Sequence, residues 1–192
     1  MSIQPALDTA VLWTEHPQWW LYGIHPQFVQ ALVRFHQRNR LHLRMAMSLG
    51  PELEQEAYWE AEIPRRQADM QAGRAVHLVG FLRQGDDREI GGLVSFWGIE
   101  HGDFEACTLS FLLDRQLEGR SLMHQWLGPV VPEVMSRHHL HRVMATHLPE
   151  NLRSAALLKR LGFVVEGYAR DFVKLNGRWR DNVLLSRVAP DD

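Results

Sequence analysis

The stretch Leu112-Leu113-Asp114-Arg115-Gln116-Leu117-Glu118-Gly119-Arg120-Ser121-Leu122 decides the fold. The apolar run 106–113 ends in a polar loop with one glycine, and a segment with helical periodicity then runs toward Arg137. A strand therefore feeds a helix through a short turn. The first turn of a helix presents N–H groups without intrahelical acceptors, together with a partial positive charge. Such a turn holds an anion such as phosphate with no basic side chain required. Gly119 lets the main chain approach that ligand, and Arg120 adds a cation. An ordinary strand-to-helix turn looks the same, so the neighbouring segments must decide.

Downstream, 142–147 reads as a strand. Segment 151–161 reads as a helix opened by Asn151 and closed by Gly162. Segments 164–175 and 178–188 are strands joined by Asn176-Gly177, a type I′ hairpin signal. Upstream, 76–82, 89–99 and 106–113 form an antiparallel meander with a Gly- and Asp-rich turn at 84–88. Before it stand a short strand or arm at 19–24 and a helix at 25–44, with Phe28, Leu32 and Phe35 at near-helical spacing. A polar helix follows at 52–71, where Pro64 predicts a kink or a split. Pro129 and Pro132 fall inside the helix after the loop and predict a kink or a shortening, with the first turn intact. Strands first, then β-helix-β-helix-β-β, is an α/β protein with a mixed sheet.

At 192 residues, with 45% hydrophobic and 23% charged side chains, the chain suits one globular domain. Lys and Arg total 21 and Asp and Glu 23, so there is no basic excess to drive direct DNA binding. A single cysteine, Cys107, excludes an internal disulfide framework, and its mid-strand place suits a buried inert thiol. The longest stretch without charge, 16–33, contains two prolines, two histidines and three glutamines, which excludes a membrane helix there. The first basic side chain is Arg34, so neither a secretory signal nor a transit peptide is expected. The reading is cytoplasmic, with no membrane contact. The seven tryptophans suggest deep aromatic packing. His138-His139-Leu140-His141 has no cysteine or carboxylate spaced to complete a site, so no metal is expected.

The loop motif Gln116-x-x-Gly119-x-Ser121 is joined by Asn151-Leu152-Arg153-Ser154, Leu161-Gly162-Phe163 and Glu166-Gly167-Tyr168. Together these resemble the GNAT acetyltransferase family. The runs Phe104-Glu105-Ala106-Cys107, His141-Arg142-Val143-Met144-Ala145 and Gly177-Arg178-Trp179-Arg180-Asp181 are similar to those of bacterial ribosomal-protein-alanine N-acetyltransferases. The resemblance runs from Val76 to the C-terminus. It implies a mixed, mostly antiparallel sheet of about seven strands flanked by helices and splayed between the fourth and fifth. It also implies one domain, with 1–75 lining the acceptor side and 76–192 binding acetyl-CoA.

Residue by residue, the resemblance places the acetyl-CoA pyrophosphate on the backbone of Gln116, Leu117, Glu118, Gly119, Arg120, Ser121 and Leu122. The edge Phe111, Leu112 and Leu113 would pair with the pantetheine arm, and an N–H near Leu112 or Leu113 would polarise the thioester carbonyl. Asn151 would bond the arm, and Ser154, one turn later, would hydrogen-bond or protonate the leaving thiolate. Family position makes Tyr168 a lining residue of the acceptor pocket; Trp97 and Met45 are further candidates without such support, and Trp97 reads better as core packing. Three positions depart from the family pattern. Ser121 fills a Gly/Ala slot. Leu158 replaces a tyrosine acid, which passes that role to Ser154. Thr108 replaces a strand glutamate, which leaves Glu105 as candidate base, His101 as runner-up, or a water chain with no base.

A neutral amine is needed for acetyl transfer. At pH 7 roughly 10% of a free α-amine is neutral and well under 0.1% of a lysine. A weak or absent base thus suits an N-terminal amine, in agreement with the resemblance, which implies the N-terminal alanine of a small-subunit ribosomal protein, acetylated by direct attack by a monomer or homodimer. The alternatives are acetylation of a small amine (antibiotic, peptide toxin or polyamine) and a non-catalytic acetyl-CoA-binding assembly factor. Arg34, Arg38, Arg40 and Arg44 read either as a solvated helix face or as a contact with ribosomal RNA or an acidic partner.

Overall fold

The computed structural model describes residues 12–45, 47, 50–83 and 89–190. The predicted turn at 84–88 lies outside them. One eight-stranded sheet has the order β1-β2-β3-β4-β5-β6-β8-β7. β1 (Leu12–His16), β2 (Trp19–Gly23), β3 (Ala75–Leu82), β4 (Ile90–Glu100) and β5 (Ala106–Leu113) are successive antiparallel neighbours. β6 (Arg142–His147) lies parallel to β5, and β8 (Arg178–Val188) and β7 (Val164–Leu175) follow antiparallel. α1 (Val29–Leu43) and α2 (Glu56–Gln71) pack against one face. α3 (Leu122–Arg137) and α4 (Leu152–Arg160) pack against the other. β3 is buried on both faces from Ala75 to Phe81, because helices cover it from both sides.

β1 is the strand that the sequence reading lacked. It pairs with β2 from Leu12↔Tyr22 to His16↔Trp19, so the expected arm at 19–24 is one half of a hairpin. Counted from β2, the parallel pair joins the fourth and fifth strands, as expected. The Asn176-Gly177 turn has φ of +48° and +82°, the two left-handed residues that a type I′ hairpin requires.

The three internal prolines do not interrupt their helices, contrary to expectation. α2 runs unbroken through Pro64, and α3 runs unbroken through Pro129 and Pro132. Each proline removes a donor and frees the carbonyl four residues earlier. Pro64, Pro129 and Pro132 all lie on exposed faces, with Glu60 and Gln125 likewise exposed, so water satisfies what the helix gives up.

α3 is seated by one side chain. Trp126 is fully buried and lies against glycines of β3 and β4. A Cβ on Gly80 would sit 2.2 Å from its ring, and one on Gly92 would sit 2.8 Å from it and 2.5 Å from the Leu112 carbonyl oxygen. The missing side chains make a notch for the indole. The notch fixes α3, and hence the loop before it, relative to the sheet.

Candidate functional site

β5 pairs with β6 at only three positions, Ala106↔Arg142, Cys107↔Val143 and Thr108↔Met144. Beyond Thr108, β5 remains paired with β4 as far as Leu113, and β6 remains paired with β8 as far as His147. The two parallel strands therefore diverge, and the inner edge of Leu109–Leu113 has no strand beside it among the described residues. The loop Asp114–Ser121 and the N-termini of α3 and α4 meet at the open end of this wedge.

At that end the backbone groups divide into two sets. The amides of Arg115, Gln116, Leu117 and Glu118 donate to Asn39 Oδ1, Asp114 Oδ1, Asp114 O and Arg115 O. They belong to the turn itself. Those of residues 119–124 have no acceptor among the described residues, and helical bonding begins only at Gln125, whose N–H donates to Ser121 O at 3.0 Å. The amides available to an anion therefore begin at Gly119 and extend into the first turn of α3, to Met123 and His124. This shifts the expected set, in which Gln116, Leu117 and Glu118 also took part.

Gly119 has φ +76° with open space where a Cβ would be. Ser121 follows at φ +56°, a left-handed position that glycine fills without strain. This is the physical content of its departure from the family pattern. Arg160 Nη1 of α4 approaches the Ser121 hydroxyl at 3.5 Å, so a second cation stands near the loop with Arg120.

The loop is held from beneath by α1. Asp114 is almost fully buried, and its Oδ2 accepts from Arg38 Nε at 2.5 Å and from Asn39 Nδ2 at 2.9 Å. Burial alone would raise this carboxyl, but hydrogen bonds from Asn39, Arg38 and the Gln116 amide, with the charge of Arg38, outweigh it and hold the group below the usual carboxylate range. Arg34 and Arg38 also pair with Glu89, and Arg40 with Glu54. Three of the four arginines that read as a solvated or RNA-facing run are thus engaged within the chain. Glu118 joins α1 to α4 through His42 Nε2 at 3.3 Å and through Arg153.

The predicted site residues fall in several places. Asn151 caps α4, its Oδ1 accepting the Ser154 amide at 3.1 Å. The Ser154 hydroxyl makes no hydrogen bond among the described residues, and the Arg153–Glu118 pair sets this end of α4 beside the loop. Glu105 precedes β5 at the closed end of the wedge, with φ +41°, and its carbonyl accepts from the amides of His141 and Arg142. At about 3.3 Å per residue, Glu105 and Leu112 are roughly 20 Å apart along the strand. A base at Glu105 and a polarising amide at Leu112 or Leu113 therefore do not share one reaction centre.

The three expected pocket residues do not converge. Met45 follows α1 and is exposed. Trp97 pairs with Thr108 toward the closed end and is half exposed rather than core. Tyr168 is exposed, pairs with Val183 and donates its hydroxyl to Asp181. Burial pushes the Cys107 thiol up to about 12, so it carries no thiolate at neutral pH. Among the described residues no three His, Cys, Asp or Glu side chains group as a metal site, and no helix is long and apolar enough to cross a membrane.

Comparison with known proteins gives concordant matches. The model of the acetyltransferase (GNAT) domain matches residues 29–164. The [ribosomal protein uS5]-alanine N-acetyltransferase of Escherichia coli (strain K12) is 40% identical over 106 residues, 55% of this chain and 55% of that protein. The match thus spans about half the length of that curated relative. The crystal structure of a ribosomal-protein-S5-alanine acetyltransferase from Vibrio fischeri aligns with a TM-score of 0.86 at 25% identity, covering 91% of this chain and 95% of the other. Mycobacterium smegmatis RimJ in complex with CoA-disulfide shares the fold, with a TM-score of 0.81 at 23% identity over 89% of this chain and 82% of the other.

Proposed function

The chain belongs to the GNAT acetyltransferase family, and from that premise we propose that it transfers acetyl from acetyl-CoA to the α-amine of a protein N-terminus, with the N-terminal alanine of a small-subunit ribosomal protein as acceptor. The observation that carries this reading is the wedge between β5 and β6, closed at its open end by amides 119–124 that no group among the described residues accepts from. These donors and the α3 N-terminus fit a diphosphate. The unpaired edge Leu109–Leu113 fits an extended arm with amides of its own. The parts act as one domain. Residues 76–192 form the acetyl-CoA side and 1–75 the acceptor side, joined where Arg38 and Asn39 of α1 hold Asp114.

Acetyl-CoA supplies an activated thioester. The chain's contribution is placement: the loop amides and Arg120 hold the diphosphate, and Asn151 and the β5 edge align the arm. An N–H of that edge faces the thioester carbonyl, and the free Ser154 hydroxyl donates to the sulfur as it leaves. Holding amine and thioester together supplies most of the acceleration. Attack is direct, since Cys107 offers no thiolate. The amine enters as its neutral fraction, roughly 10% at pH 7 for an α-amine, and loses its proton to water rather than to Glu105. Of the three candidate acceptor residues, exposed Met45 after α1 and exposed Tyr168 on the β7–β8 hairpin support an acceptor surface there, and Trp97 on β4 lies apart from them. The setting is the cytoplasm.

Thiol release from acetyl-CoA with a panel of peptides tests the proposal. Turnover with a free N-terminal alanine and none with the same peptide blocked at its α-amine supports it. Turnover on small amines alone, or tight acetyl-CoA binding without turnover on any amine, refutes it.

A further inference from the structure

Between the start of α1 and the first half of α2 lies a groove of about 430 Å³. Its floor is apolar, made by half-buried Val29 and by the buried Trp59 and Ile63, with Pro64 beside them. Clefts that hold ligands enclose roughly 300–1,000 Å³, so the groove is large enough to seat one. It is separate from the wedge. Val29 stands ten residues before Asn39, which puts the groove about 15 Å along α1 from the point where that helix holds Asp114.

The charge on its rim is wholly negative. Glu56 and Glu60 stand one turn apart on α2 and both line the groove. Neither has an ion-pair partner among the described residues, whereas the other carboxylates of the four helices, Glu62, Asp69 and Glu133, each take an arginine. Every arginine of α1 and α2 is engaged elsewhere: Arg34 and Arg38 with Glu89, Arg40 with Glu54, and Arg65 and Arg66 with Glu62. Like charges one turn apart repel. Glu56, in the first turn of α2, is favoured by the helix N-terminus, but Glu60 has no such support. Pro64 adds a third acceptor at the same place, because it leaves the Glu60 carbonyl without its helical donor.

Floor and rim together select the occupant. A guanidinium or ammonium group brings several donors and the charge that Glu56 and Glu60 lack. A small cation alone would leave Val29 and the apolar floor uncovered, whereas a peptide brings cationic and apolar side chains together. We propose that the α1–α2 groove docks a basic peptide segment of a partner protein, an extended run in which arginine or lysine neighbours apolar side chains. The docking goes beyond the acetyl-transfer reading and is measured without acetyl transfer.

The test is fluorescence anisotropy of a labelled octapeptide of alternating arginine and leucine with the full chain. The peptide is acetylated at its N-terminus, so it offers no α-amine to the wedge. Saturable binding is expected. Glu56→Gln and Glu60→Gln should each weaken it about threefold, and the double variant about tenfold. Glu100→Gln removes an exposed carboxylate outside the groove and should leave the affinity unchanged. The urea midpoint of Glu60→Gln should not fall, because the change relieves a repulsion and breaks no ion pair. Binding that is absent, undiminished in the double variant, or weakened as much by Glu100→Gln overturns the proposal. So does spermidine that displaces the peptide at equal concentration, since the groove is then a site for small cations. A lower urea midpoint for Glu60→Gln overturns it by revealing an internal partner. A double variant that changes only the self-association of the chain does so by making the groove an interface between copies. If the parent acetylates no amine, the acetyl-transfer reading falls, while the peptide titration still decides the groove.

Discussion

Gly80→Ala should loosen the whole cofactor side of the molecule through one ring. The added methyl would meet Trp126 Cη2 at 2.2 Å and Cζ3 at 2.4 Å, far inside van der Waals contact. Trp126 is fully buried, touches Trp19 edge-on with centroids 6.2 Å apart, and has no space to retreat into. Overpacking of this kind costs about 1–3 kcal/mol. The displaced element is α3, whose first turn carries the amides of residues 122–124, so acetyl-CoA affinity should fall with stability. Trp126→Phe shortens the ring that the methyl strikes. In that background Gly80→Ala should cost less, with a coupling energy of about 1 kcal/mol or more in a double-mutant cycle. Urea unfolding of the four proteins gives the cycle, and calorimetry with acetyl-CoA gives the affinity. If Gly80→Ala costs the same beside Trp126 as beside Phe, the notch does not seat α3 and the reasoning is wrong.

Other consequences follow from the same geometry. Asp114→Asn should weaken acetyl-CoA binding and cost about 1–3 kcal/mol, less than a fully buried pair because Arg38 is partly exposed. Because the Asp114 carboxyl is held low, its contribution is present at neutral pH and fades as acid protonates it, so the variant should lose that part of the acid sensitivity. His77 is the opposite type of test. Burial first, and then the charge of Arg66, lower it to about 4, so the folded protein keeps it neutral while the unfolded chain protonates from about 6.5 downward. Stability should fall by up to about 3 kcal/mol between those limits, and His77→Gln should flatten that segment of the urea midpoint against pH. Ser154→Ala should lower kcat more than it weakens acetyl-CoA binding, and an unchanged kcat would remove the hydroxyl from the reaction.

The C-terminal half was the more legible in sequence, for a physical reason. Asn176-Gly177 leaves few alternatives to a tight hairpin, and both residues are left-handed as that turn demands. The strands Ala106–Leu113, Arg142–His147, Val164–Leu175 and Arg178–Val188 match their expected bounds. β1 was hidden because a short strand at the sheet edge, with Thr14, Glu15 and His16 among its five residues, has no apolar run to show. The prolines misled because propensity does not record that their freed carbonyls face water. The loop motif singled out the strand-to-helix turn, but it could not separate amides spent on the turn from those left over. That division depends on Asn39 and Asp114, which lie 75 positions apart. Gly80, Gly91 and Gly92 carried a signal that went unused, since glycines inside strands mark the close approach of another group. Residue counting along the continuous β5 sets Glu105 roughly 20 Å from Leu112, which is why water rather than Glu105 takes the proton in the proposed reaction.

The central claim is that amides 119–124 grip the diphosphate of acetyl-CoA. Calorimetric titration with acetyl-CoA and with S-acetylpantetheine, which has the same thioester and arm but no diphosphate, tests it most directly. Two charge-assisted bonds or more from these amides predict that acetyl-CoA binds at least about a hundredfold tighter, and that Gly119→Val removes most of the difference. Equal affinities, or a difference that survives Gly119→Val, would contradict the account.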